Sequence, residues 1–446
     1  MGMTGSTAQA GLSPEDRLLL LSAGARAGED ETARVDALVS GVRNWDLLVE
    51  NAVRHGTASL LHALLDRIGA SSAVPDGARE RLRKIFYATA LRNARVEGQL
   101  TQILSTFRER SIDAMLLKGL FVLHTLYEES GLRPIGDIDL LVHSSDVARA
   151  DSALRRLGYS LRAGSMPLGF YRQVHFHVLY HGTEGGSQCP VEVHWDVQDM
   201  FNVLRIDIAQ IWNRAVRWNL EDETVWVMGR EDLLAYLCYH ADKHACFGRY
   251  VDDFSEFGIK AVLDNCRSAQ LIWYADIVRL LDVWDSGLDW DLFLRSCADW
   301  GIGREVRSTL SIVGKMVESP AVGSVTARIE PARAAPGIGR LYRMVVAGGP
   351  DGLSDHRLVG RIKSVLLGSG SWLQFRPVRF LDVLTYVFPA RREIAKRYGV
   401  RWGVDWLAYL WHIPKSIGQI MLHAATLIGY SAAKHLRSES GSGLAF

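Results

Sequence analysis

The chain has 446 residues, about three times a usual ~150-residue domain, so two or three packed units are expected. Lys plus Arg number 51 against 50 Asp plus Glu, and 48% of residues are hydrophobic. That balance excludes large-scale disorder and argues against a wholesale nucleic-acid coat or an acidic solubilising tail. Five scattered cysteines (Cys189, Cys238, Cys246, Cys266 and Cys297) form no CxxC pair and fit a reducing compartment. The opening MGMTGSTAQAGLSPED has no basic then apolar leader. No stretch reaches the ~18 uninterrupted apolar residues of a membrane span. Ile417 to Ala433 comes nearest, but Gln419, His423, Thr426 and Ser431 interrupt it, so it reads as a soluble helix, with an interfacial helix as the lesser alternative. A cytoplasmic protein with no transmembrane segment is expected.

Residues 1–12 read as a mobile tail. Ser13-Pro14-Glu15-Asp16 then gives a Ser cap, Pro at the first helical position and acids in the first turn. Apolar residues recur at helical spacing through Trp45–Val53, Leu60–Ile68 and Ile85–Phe107, which makes 13–110 an N-terminal helical unit. From 111 to 228 the pattern is that of a small sheet. The pattern changes at Ile112: Met115–Leu117 reads as a short strand, Phe121–Tyr127 as a helix, Ile138–Val142 as a strand, and Ser144–Leu157 as a helix capped by Ser144 or Ser145. Strands follow at His175–Tyr180 and Val191–Trp195, and Val225–Met228 adds an edge strand. Residues 229–320 return to helices at Leu233–His244, Leu271–Trp284 and Trp290–Trp300. A Pro/Ala/Gly-rich linker is expected at 319–336. The remainder, 321–446, is a basic helical region with fourteen Lys or Arg against five Asp or Glu over 328–401.

Chemistry concentrates in Gly136-Asp137-Ile138-Asp139-Leu140-Leu141-Val142. Side chains alternate along a strand, so Asp137 and Asp139 point the same way. Adjacent carboxylates in an apolar strand are costly without a compensating cation, and hard oxygen ligands of this kind suit Mg2+. Val191-Glu192-Val193-His194 supplies a third carboxylate, Glu192, with His194 on the same face. Three carboxylates from neighbouring strands suit two metal ions and an in-line displacement at phosphorus. Upstream, Leu117-Lys118-Gly119 closes a strand and opens a helix, so the Gly119 backbone can approach a phosphate and Lys118 adds positive charge. DxD alone is common, and each of these features has an ordinary structural explanation as well.

The run LLKGLFVLHTLY, GLRPIGDIDLLV, LRRLGY and VEVHW resembles the bacterial uncharacterised nucleotidyltransferase family of the polymerase β-type superfamily. The resemblance extends through WDLLVENAVRHGTASLLHALL, REDLLAYLCYHADKHA and AKRYGVRWGVDWLAYL, and so covers most of 13–415. It implies that Gly119 is the glycine of the phosphate-binding turn, that Asp137 and Asp139 are paired metal ligands, and that Glu192 is the third acid. The family's Gly-Ser or Gly-Gly pair is Gly119-Leu120 here, and the longer gap to Asp137 leaves room for Arg133 to contact triphosphate beside Gly136.

Several further residues are candidates. His175 and His177 share a strand face and border an acceptor site or assist proton transfer; His194 supports the metal site. His240 and His244 lie i, i+4 on a helix with Cys238 and Cys246 nearby, but one helix does not aim all four at one zinc ion. A helix lining the nucleotide cleft, with Lys243 or His240 near phosphates, is the preferred reading, and Asp276 orients these groups or caps a buried network.

The expected fold is therefore α+β, a small mixed nucleotidyltransferase sheet flanked by N-terminal and C-terminal helical segments. The expected activity is Mg2+-dependent transfer of a nucleoside monophosphate from an NTP such as ATP, with Mn2+ able to replace Mg2+. The acceptor, whether peptide, protein, small molecule or RNA, is not specified by the sequence, and RNA is not favoured despite the basic C-terminal region. Oligomeric state is likewise unspecified. The competing expectation is an inactive nucleotide-binding or scaffold protein of a biosynthetic assembly, membrane-peripheral through helices at 404–435.

Overall fold

Helices precede, interrupt and follow a single sheet in the computed structural model, which describes residues 12–24, 29–69, 73–161, 168, 176–182, 188–197, 206–245, 258–264, 270–317, 319–329, 410 and 412–414. The tail, nearly all of the basic region and of the 404–435 helices, His175, Cys246 and Cys266 lie outside the described residues.

Ser13 caps α1 (Pro14–Ala23), its hydroxyl accepting from the Asp16 amide at 3.1 Å, with Pro14 in the first turn as expected. After α2 (Glu29–Gly41), Asn44 caps α3 (Trp45–Arg54) in the same way, and α4 (Ala58–Arg67) follows. The 34-residue α5 (Asp76–Glu109) is about 50 Å long at 1.5 Å per residue. It buries Leu82, Thr89, Asn93, Val96, Leu100 and Phe107, a face with three- or four-residue spacing over most of its length.

The sheet then assembles from β1 (Ala114–Leu116), α6 (Leu120–Leu126), β2 (Ile138–Val142), α7 (Val147–Arg156), β3 (Tyr159–Leu161), β4 (His177–Gly182), β5 (Val191–His194), α8 (Ile208–Arg214), β6 (Val216–Leu220) and β7 (Glu223–Val227). Its seven strands run in the order β3-β4-β5-β2-β1-β7-β6. β2 is parallel to β5 and β1 to β7, while the other neighbours are antiparallel. The fold is the α+β arrangement expected, with helices flanking a mixed sheet.

Three local expectations are corrected. Of the expected strand Val225–Met228, Val225–Val227 belong to β7, which lies inside the sheet against β1; the edge is β6, joined to it by the two-residue turn Glu221-Asp222 with Glu221 at φ +51°. Val216-Arg217-Trp218-Asn219-Leu220 alternates apolar and polar residues as a strand should, although only Leu220 of β6 is buried. The N-cap of α7 is Asp146, not Ser144 or Ser145. Part of the expected linker is helical: Ser319 caps α14 (Pro320–Arg328) through the Val322 amide at 3.3 Å, and Pro320 sits where its missing N–H costs nothing.

After the sheet, α9 (Arg230–Ala245) packs against α11 (Leu271–Trp284), α12 (Trp290–Trp300) and α13 (Gly303–Met316); the short α10 (Gly258–Asp264) precedes α11. Every residue of α9 from Asp232 to Asp242 is buried, including the charged groups. Asp232 is neutralised by Arg214, whose Nε and Nη2 each donate to it at 2.8 Å. α11 contacts both α1 and α6, joining an N-terminal helix to the helix that follows β1. Among the described residues, no helix is long and apolar enough to cross a membrane.

Candidate active site

Strand register builds the centre of the site. Asp139 of β2 lies beside Glu192 of β5, Leu141 lies beside His194, and His177 of β4 lies opposite His194. Directly paired residues project to the same side of a sheet, so Asp139, Glu192, His194 and His177 share one face. His194 Nε2 is 3.3 Å from both Asp139 Oδ1 and Glu192 Oε2, and the His177 and His194 rings stack at 5.0 Å. His177 Nε2 approaches Glu192 Oε2 at 3.9 Å. Asp137 lies one residue before β2, half-buried, close enough for its charge to act on Asp139 and Lys118.

The turn after β1 supplies the cation. The Leu117 amide donates to the Asp139 carbonyl at 3.2 Å, which brings Lys118 over β2. Its ammonium is 3.2 Å from Asp139 Oδ2 and 3.2 Å from His240 Nε2 on α9. Gly119 follows at φ +68° and ψ −115°, a backbone shape that a Cβ disfavours, and turns the chain into α6.

Charge in this site is crowded. Burial and the neighbouring Asp139 carboxylate push Asp137 up to about 6. Burial opposes ionisation of Asp139 as well, but Lys118 and His194 outweigh it and hold that carboxyl well below its usual range. Burial opposes ionisation of Glu192, but the His194 hydrogen bond together with the His177 and His194 charges lowers it as well. Burial disfavours the imidazolium of His194, yet its two carboxylate partners raise it above an ordinary histidine. His240 is driven far below that value by burial and then by Lys118, so its ring is neutral and Nε2 accepts from the ammonium.

The rim is aromatic and basic. Lys243 lies over the Phe176 ring at 4.2 Å, and Phe176 abuts His177 at 4.3 Å. His240 meets His244 at 4.7 Å and Trp273 at 5.2 Å. Cys238 is instead buried with Cys297 of α12 as an influence on its thiol, and its carbonyl accepts from Thr309. Arg133 is paired with Asp276: Nε and Nη2 each donate to that carboxylate at 2.8 Å, and the Tyr127 hydroxyl donates to it at 2.6 Å. Asp276 therefore closes a buried network with Arg133.

Among the described residues, Asp139, Glu192 and His194 form the group whose ligand atoms lie within 4.8 Å of one another. Asp139 Oδ2 is sealed from solvent and accepts no directed hydrogen bond, with the Lys118 ammonium beside it. Two carboxylates and an imidazole suit a divalent cation, and the Asp137 carboxylate nearby adds a further hard donor. Sequence reasoning missed Arg92 and Asn93 of α5, which bond to the loop before β2. A signal was present, since asparagine is a poor interior helix residue and Asn93 stands in the middle of a long one.

A carboxylate-lined face on a mixed sheet, with a lysine on the preceding turn, defines an α+β site suited to anionic substrates. Residues 42–318 match the family described as "Uncharacterised nucleotidyltransferase", and the chain belongs to it. The match covers the sheet, the whole acidic cluster and the helices α9 and α11, so the protein is a transferase of phosphorus-containing groups. No match to the chain is found among curated proteins or among solved structures.

Proposed function

We propose that the chain transfers a nucleoside monophosphate from an NTP, ATP among them, to an acceptor hydroxyl or phosphate. An acceptor oxygen forms a bond to the α-phosphorus while the bond to the β-phosphate oxygen breaks, and pyrophosphate leaves. Asp137, Asp139 and Glu192 would hold Mg2+, two ions in the full form and Mn2+ as substitute, with His194 beside them. Bound there, the metal supplies Lewis-acid charge to the phosphates.

The protein groups have distinct tasks in this reading. Lys118 opposes negative charge that develops on the phosphates, and its donation to neutral His240 keeps the ammonium aimed at β2. The side-chain-free Gly119 lets phosphate oxygens come close to the backbone beside it. Lys243 and Gly136 flank the nucleotide, and Glu192, with His177 at 3.9 Å, would complete the acceptor-side metal and favour deprotonation of the attacking oxygen. Arg133 contributes through the loop that it anchors.

The observation that carries the reading is the register that sets Asp139 beside Glu192, with Lys118 on the same carboxylate, inside the family-matched region. Calorimetric titration of each of the four NTPs, with Mg2+ and with chelator, tests it. Mg2+-dependent binding that is lost in Asp137→Asn and Asp139→Asn is expected. If no nucleotide binds under either condition, the reading is wrong.

A further inference from the structure

The segment from Ser130 to Gly136 has neither helix nor strand, yet it delivers Asp137 to the start of β2. Its backbone carbonyls must find donors elsewhere, because buried unpaired carbonyls are costly. Side chains of α5 supply most of them. Asn93, 1% exposed, donates from Nδ2 to the carbonyls of Ser130 at 2.6 Å and Arg133 at 2.8 Å. Its Oδ1 accepts from the Ile135 amide at 3.2 Å. One side chain thus makes three hydrogen bonds to one short segment. Arg92 continues the grip, with Nε on the Ile135 carbonyl at 3.0 Å and Nη2 on the Gly136 carbonyl at 3.4 Å.

Two further ties come from other directions. Arg133 reaches α11 through Asp276, and the Cys189 thiol donates to the Gly136 carbonyl at 3.4 Å from the approach to β5. The grip tightens toward the end of the segment: Ile135 is held at both its amide and its carbonyl, and the next carbonyl belongs to the residue before Asp137. A helix interior gains nothing locally from asparagine, which competes for backbone hydrogen bonds and lowers helix propensity. Such a residue, buried and aimed wholly at one segment, acts on that segment.

We infer that Asn93, assisted by Arg92, is a positioning residue that fixes Asp137 for metal binding from a helix outside the sheet. This rests on the proposed metal-dependent reading. It also gives α5 a part in the site although none of its side chains joins the carboxylate cluster. Carboxylates that bind a cation need their direction set by surrounding hydrogen bonds, and loss of such support weakens metal affinity by about ten- to a hundredfold.

The test is titration of Mn2+ alone into the full chain, with free Mn2+ followed by electron paramagnetic resonance. Four proteins are compared: wild type, Asn93→Ala, Asp137→Asn and the double variant. Asn93→Ala is expected to weaken Mn2+ binding about tenfold in the wild-type background and to add nothing in the Asp137→Asn background. Equal weakening in both backgrounds would mean general loosening and would overturn the inference, as would wild-type affinity in Asn93→Ala. Binding unaffected by Asp137→Asn would also overturn it, while leaving Asp139, Glu192 and His194 as the ligands. Failure of wild type to bind Mn2+ removes the metal-dependent reading itself, and the inference with it. Should Asn93→Ala not fold, Arg92→Met, at an exposed side chain, tests the same grip. A smaller weakening that again disappears with Asp137→Asn is expected, and wild-type affinity would overturn the inference.

Discussion

Two buried charge clusters lie near one another beside the sheet and are built in opposite ways. Around Asp276, one carboxylate meets one guanidinium in a two-pronged pair, and a tyrosine hydroxyl completes it. Around Asp139, three carboxylates gather near a lysine and a histidine, and two carboxylates share one imidazole nitrogen. The first cluster is balanced and saturated by the fold itself. The second gathers three carboxylates out of water, and burial together with the Asp139 charge pushes Asp137 up to about 6. Excess like charge at a buried point is a cost that function, not folding, explains.

Paired substitutions can break that comparison. Asp137→Asn is expected to abolish transfer while leaving the thermal unfolding midpoint unchanged or raised, because burial and the Asp139 carboxylate already disfavour its ionised form. Asp276→Asn strands the Arg133 guanidinium in the interior and is expected to cost about 3–5 kcal/mol, read from denaturant unfolding. If Asp276→Asn is as stable as wild type, or if Asp137→Asn is the more destabilised of the two, the two clusters do not differ in the way described.

Gly119→Ala sharpens the same contrast by a smaller amount. An added Cβ has room, its closest neighbour being the Asp137 carbonyl at 3.8 Å. The backbone at φ +68° and ψ −115° is the obstacle, and forcing alanine into it is expected to cost about 1–3 kcal/mol. Retained stability would show that the turn can relax to another shape, and that the glycine is there for ligand approach alone.

Much of this was legible in the sequence, for reasons that differ by element. The strand Ile138–Val142 and the helices at Leu271–Trp284 and Trp290–Trp300 are observed with the bounds that their apolar patterns suggest. Asp137, Asp139 and Glu192 stood out because charge in an apolar strand is rare, and Lys118 because it precedes a glycine turn. Register was not legible, since no local pattern says that β2 pairs with β5 rather than another strand. The Asp139–Glu192–His194 grouping therefore needed the fold. The pairing of Arg133 with Asp276 spans 143 residues and has no local signature. Helices α2 and α13 went unread, and β3 is three residues long, too short for alternation to register.

The smallest effect concerns a histidine far in sequence from either cluster. His55, at the end of α3, places Nε2 at 3.1 Å from the Leu263 carbonyl, and its Nδ1 accepts from the Leu271 amide at 3.3 Å. One nitrogen must carry a proton and the other must not, so the neutral ring fits and the imidazolium does not. Burial accordingly lowers the pKa of His55, despite the opposing influence of the Leu263 carbonyl. A histidine with a depressed folded pKa contributes stability that is fully present above its unfolded value of about 6.5. Below that pH the unfolded chain takes up a proton that the folded chain refuses, and the contribution falls until the folded pKa is passed. The wild-type unfolding free energy should therefore drop more between pH 7.5 and 5.5 than that of His55→Gln, whose amide cannot titrate. Equal drops in the two proteins would show that His55 accepts its proton inside the fold, and that the bond from Leu271 does not set its state.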